Sequence, residues 1–168
     1  ASSNVDLPAL PAEAYRLVED RSLYAVMDIG GDDRGAYALG RYTPFILEEN
    51  DYRMAFVANP CRPLTKTPEE ALAVMREIEA AGGLPFTCIV NNANLAHETD
   101  IHTVLDALPY MKRLSGLSGL PVWLTSAEEH IAELLAGWVP EVLPMKLQEK
   151  YFDLPEQKGP PKARPLFG

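Results

Sequence analysis

Four short polar stretches each follow an apolar run, and they hold the side chains best suited to chemistry: Asp28-Ile29-Gly30-Gly31, Asn59-Pro60, Asn91-Asn92-Ala93-Asn94 and Thr125-Ser126. A carboxylate followed closely by two glycines suits Mg²⁺ held through water, with a glycine N–H left to meet a terminal phosphate. Asparagine amides and threonine hydroxyls supply neutral donors and acceptors that can read the edge of a ligand. Turn and cap chemistry accounts equally well for Asn59-Pro60 and Thr125-Ser126, since turns and helix starts use the same residues. Asp32 and Asp33 precede Arg34–Leu39 and are read as capping that helix rather than as catalytic groups.

The elements that must position these groups alternate along the chain. Leu23–Met27, Arg53–Ala58, Phe86–Val90 and Pro121–Leu124 are apolar runs without strict alternation, which predicts strands covered on both faces. Between them, Thr67-Pro68-Glu69-Glu70 predicts a capped helix start, with Ala71, Val74, Met75 and Ile78 on one face and Gly82-Gly83 as the stop. Ser126-Ala127-Glu128-Glu129 reads as a second capping box, with Ile131, Leu134 and Leu135 on the buried side. Helical stretches are also expected at Ala12–Asp20, Thr43–Asn50 and Thr99–Ala107, the last broken or restarted by Pro109. This spacing predicts an α/β fold, a mainly parallel sheet with flanking helices in a three-layer α/β/α arrangement. Ligands of such sheets sit at the carboxyl ends of the strands, where all four polar stretches fall.

A chain of 168 residues with 47% hydrophobic and 23% charged residues is one globular domain. Its division is read as a partial domain over residues 1–147 and a proline-rich tail over 148–168, extended or disordered from Pro155 to Gly168. The net charge of −9, with no basic run, argues against direct nucleic-acid binding. Cys61 and Cys88 stand far apart outside any CxxC pair; one disulfide is possible on paper, but they are read as two buried free thiols in a reducing cytoplasm. No apolar run approaches the ~18 residues of a transmembrane helix, so a cytoplasmic location is expected. The polar lead-in Ala1–Asp6, beginning without Met, fits a fragment or processed chain as well as a whole protein.

Several patterns suggest chemistry that their residues do not support. Gly35-Ala36-Tyr37-Ala38-Leu39-Gly40-Arg41-Tyr42 has the glycine spacing of a P-loop. Arg41 stands where the lysine belongs, Tyr42 replaces the Mg²⁺-binding hydroxyl, and Ala36–Leu39 reads as helix. His97 and His102 lie on different helix faces, which is unsuited to a shared metal. Ser22, Ser115 and Ser118 have no nucleophile-elbow context.

In the order and spacing of its strand ends, the chain over about Val5–Leu147 resembles the ParA/MinD (CobQ/CobB/MinD/ParA) family of P-loop ATPases. Leu23–Gly31 is similar to the Walker B strand and switch loop, which implies Asp28 as Mg²⁺ partner and catalytic residue, with Gly30 and Gly31 sensing γ-phosphate. Phe56–Pro60 resembles the strand ending in TNP. Ile89–Asn94 is similar to the base-reading loop, implying that Asn91 bonds adenine, with Asn59, Asn94 and Thr125 completing the nucleotide contacts. Guanine-specific proteins place a carboxylate where this chain has Asn94, and Asn92 stands in place of their lysine. A neutral amide cannot supply the paired acceptor that selects guanine, which favours adenine.

The resemblance implies Mg²⁺ and ATP as ligands and a homodimer that switches an unidentified protein partner. The family's Walker A loop would precede Ala1, and without that strand Leu23–Met27 would leave an apolar edge. The chain is therefore expected to be the C-terminal part of an ATPase, unable to hydrolyse ATP alone. The alternative is a non-catalytic α/β binding or scaffold module that lost its phosphate loop. A third reading is a ligase or metal-insertion enzyme of the same superfamily, such as one resembling dethiobiotin synthetase.

Overall fold

A computed structural model describes residues 16–30 and 33–146. A proline at the first turn starts several helices where its missing N–H is harmless, and glycine ends them where the backbone turns left-handed. The long helix α4, Pro68–Gly82, shows both devices. The Thr67 hydroxyl accepts from the Glu70 N–H while the Glu70 carboxylate accepts from the Thr67 N–H, the reciprocal cap expected from sequence. Gly83 closes the helix at φ 67°, and its N–H donates to the Glu79 carbonyl.

Before α4 come α1 (Arg16–Glu19), α2 (Asp33–Gly40), α3 (Thr43–Glu49) and strand β1 (Ala55–Ala58). After it come β2 (Cys88–Asn91), α5 (Ile101–Leu105), α6 (Leu108–Ser118), β3 (Val122–Glu128), α7 (Glu129–Leu135) and β4 (Val142–Met145). Pro109 lies in the first turn of α6, so it restarts the helix rather than merely ending one. Residues 12–15 of the first expected helix and the 148–168 tail lie outside the described residues.

All four strands are parallel, in the order β1-β2-β3-β4, with helices flanking the sheet. The expected α/β fold with a parallel sheet is the one found. One buried cluster joins Phe56, Ala58 and Ile89 from the strands to Ala71, Met75 and Ile78 of α4 and Met111 and Leu114 of α6. Phe56 and Phe86 meet edge to face within it, their centroids 5.3 Å apart. A second cluster joins Val104, Ala127, Ile131, Ala132, Leu135 and Val139, with Val142 against it. Between β2 and β3 the register jumps, so that Ile89 pairs with Val122 but Val90 with Leu124. Trp123 is the extra residue, and the Arg53 guanidinium stacks 4.0 Å from its ring centre.

Three expectations are corrected. Leu23–Met27 forms no strand, and Leu23, Tyr24 and Val26 are exposed. A strand exists only through hydrogen bonds to a neighbour, and this run has no place in the sheet. Ser126 caps no helix: β3 continues to Glu128, and α7 starts at Glu129 without a side-chain cap. Leu134 faces outward, while Ile131 and Leu135 are buried as expected.

Candidate functional site

Parallel strands end on the same edge of a sheet, so the loops after β1, β2 and β3 are neighbours wherever the ladder stops. Here β1 and β2 stop at the pair Ala58 and Asn91, and Asn91 pairs onward with Thr125 of β3. Four of the residues singled out from sequence therefore come together: Asn59, Asn91, Asn94 and Thr125.

Their polar atoms are spent largely on this edge itself. The buried Asn59 amide oxygen accepts from the Cys61 N–H at 3.0 Å and the Asn94 N–H at 3.4 Å, and its nitrogen donates to the Asn94 carbonyl at 3.1 Å. Asn91 is wholly buried; its oxygen accepts from the Ala93 N–H at 3.2 Å and its nitrogen reaches the Thr125 hydroxyl at 3.5 Å. Asn94 donates to the carbonyl and the side-chain oxygen of Asn92, and the Ser126 hydroxyl donates to that same side-chain oxygen at 2.9 Å. Buried amides must be paired in this way, because an unpaired one costs about 1–3 kcal/mol. Asn92 and Ser126 stand in the polar stretches singled out from sequence but are not among the nucleotide contacts assigned there. The signal was present in the density of asparagines at the end of β2, but which amide meets which is not a local property.

Asp28 and Gly30 are placed differently. Both are exposed, in a segment without regular secondary structure, and Gly31 lies outside the described residues. Gly30 folds back on the start of α2: a methyl group on Gly35 would sit 2.5 Å from the Gly30 carbonyl oxygen. Only a glycine at position 35 permits that approach. The rejected P-loop pattern, Gly35–Tyr42, forms most of α2 and the turn after it.

An open groove of about 540 Å³ adjoins the strand ends, walled by Pro60, Cys61 and Lys66 on one side and by His102, Asp106 and Tyr110 on the other. Asp100 caps α5, and the N–H and hydroxyl of Thr103 hold its carboxyl below the usual range. Both cysteines are free; burial pushes the Cys88 thiol up, which keeps it neutral, while Cys61 is exposed rather than buried as expected, because it lies in the loop after β1. Among the described residues no three His, Cys, Asp or Glu side chains converge as metal ligands, and His97 and His102 lie in separate helical turns.

Tyr110 joins the groove to the loop after β1, donating its hydroxyl to the Thr65 carbonyl at 2.8 Å. Burial, with the Glu70 and Glu69 carboxylates adding to it, raises this phenol from 10.0 to about 12. Because the folded value exceeds the unfolded one, the stabilisation is complete below pH 10 and is lost as pH rises through about 12. An ultraviolet phenolate titration of the native protein is expected to lose its Tyr110 component, ionising near 12, in Tyr110→Phe.

No helix among the described residues is long and apolar enough to cross a membrane. No family model, no curated protein and no solved structure matches the chain.

Proposed function

We propose that this chain carries the Mg²⁺-sensing and base-reading part of a ParA/MinD-like ATPase, a cytoplasmic dimer that switches an unidentified protein partner with the state of its nucleotide. The observation that carries this reading is an open edge of β1 and an exposed apolar run outside the sheet, among the described residues. Among the described residues strand β1 is paired on one side only, with Val57 exposed, and Leu23–Met27 presents Leu23, Tyr24 and Val26 to solvent outside the sheet. A further parallel strand against β1 would cover that edge, and in the family that the sequence resembles the P-loop strand takes the place between the strands these two runs correspond to.

The residues present fit the ligands of that reading. Asp28 is exposed and makes no hydrogen bond or ion pair among the described residues, leaving its carboxylate available to hydrated Mg²⁺. Bound there, Mg²⁺ would neutralise the charge of the terminal phosphates. Asp28 would hold the ion through water, and the backbone of Gly30 and Gly31 would meet the γ-phosphate. At the base, Asn91 is wholly buried, so reaching the adenine edge would require this strand end to open and the 3.5 Å contact with Thr125, the longest in the network, to be given up. Asn94 offers no carboxylate to guanine.

Competition binding on the protein of the whole reading frame tests this function. Mg²⁺-ATP is expected to displace a fluorescent ATP analogue at least about tenfold more effectively than Mg²⁺-GTP. Equal displacement by both, or by neither, would overturn the reading. Absence of all nucleotide binding would instead favour the non-catalytic α/β module, which the self-contained bonding of Asn59, Asn92 and Asn94 supports.

A further inference from the structure

The geometry points to Asn59 as a positioning residue, which sets the loop after β2 by pairing both main-chain polar groups of Asn94 just beyond the β1–β2 ladder and does not itself contact nucleotide. The last ladder residues are Ala58 and Asn91, and just beyond them the Asn92 N–H donates to the Ala58 carbonyl at 2.9 Å. There the main chains part, because Asn59 leads into the loop that carries Pro60. Its side chain takes over the pairing. The amide oxygen accepts from the Asn94 N–H while the amide nitrogen donates to the Asn94 carbonyl, so one side chain satisfies both main-chain groups of Asn94 where the parallel ladder has ended.

The surroundings require an amide at this position. Two N–H groups, from Cys61 and Asn94, converge on one end of the side chain, and a carbonyl faces the other. Aspartate has the right shape but would set a carboxylate oxygen against the Asn94 carbonyl, and alanine would leave all three groups without this partner. The Asn59 carbonyl is tied as well, accepting from the Thr65 hydroxyl at 2.8 Å. From Asn94 the bonds run on to Asn92 and then to Ser126. The polar groups after β1, β2 and β3 thus share one chain of contacts whose first link is Asn59. This assignment rests on the proposed function only in calling the positioned loop a base-reading one.

Amide hydrogen exchange of the full chain, followed by NMR without nucleotide, tests it. Asn59→Asp is expected to speed exchange at the Asn94 and Cys61 amides by at least about tenfold, with Ile89 and Val90 of β2 within about twofold of the parent. Asn94→Ala keeps the main-chain exchange with Asn59, and its residue 94 amide is expected to stay within about twofold. Should Asn59→Asp fail to fold, Asn59→Ala takes its place without the added charge. Unchanged protection at Asn94, or a loss spread equally over Ile89 and Val90, would overturn the assignment. Neither result depends on nucleotide binding, so failure here is distinguishable from failure of the ATPase reading in the competition experiment.

Discussion

Replacing Asn91 with aspartate is expected to cost about 3 kcal/mol of stability at neutral pH, read from the midpoint of urea unfolding. Asn91 is fully buried on the central strand β2, its oxygen holding the Ala93 N–H and its nitrogen directed at the Thr125 hydroxyl. An aspartate keeps the first contact and can accept from Thr125, but it brings a charge into a site without solvent. Burial favours the neutral acid, so the new carboxyl has a raised pKa in the folded state. The folded variant then binds a proton more tightly than the unfolded chain, and its stability recovers as pH falls through that raised value. Asn91→Asp at neutral pH with parental stability would show that water or a cation reaches this strand end.

Much of the scaffold was legible in the sequence because its signals are local. The cap at Thr67, the proline at the start of α4 and the glycine at its end fix that helix within one turn at each end. The runs at 53–58 and 86–90 were read as strands; the first contains β1 and the second all of β2 but Asn91, with β2 buried along its whole length. Other elements depend on what lies beside them. Leu23–Met27 has strand composition but no ladder, and composition cannot supply a neighbour. Strand β4, Val142–Met145, escaped notice because Pro144 interrupts it; proline is tolerated on the outer strand of a sheet, where an N–H need not be paired. Ser126 looked like a cap because the sequence does not show that β3 runs on to Glu128.

The candidate site divides in the same way. Residue types and their order foretold that the ends of β1, β2 and β3 would present amides and hydroxyls together, and Asn59, Asn91, Asn94 and Thr125 do meet. Their bonding partners were not foreseeable, since each depends on a register set across the sheet. For that reason Asn59 reads from sequence as a ligand contact and from geometry as a clamp.

Asp28 carries the largest expected effect on function. It is exposed and bound to nothing among the described residues, so Asp28→Asn is expected to change stability by no more than about 0.5 kcal/mol. The substitution keeps the shape of the side chain and removes only its charge. In the proposed ATPase that charge holds hydrated Mg²⁺ beside the terminal phosphate, and its loss removes stabilisation needed most in the transition state. A fall in activity without a fall in stability therefore separates chemistry from folding.

The most direct measurement is the rate of Mg²⁺-ATP hydrolysis by the protein of the whole reading frame, parent against Asp28→Asn, with thermal unfolding recorded on the same samples. The account predicts an active parent and a decrease of at least about 100-fold in the variant at unchanged stability. Hydrolysis by Asp28→Asn at the parental rate would contradict it.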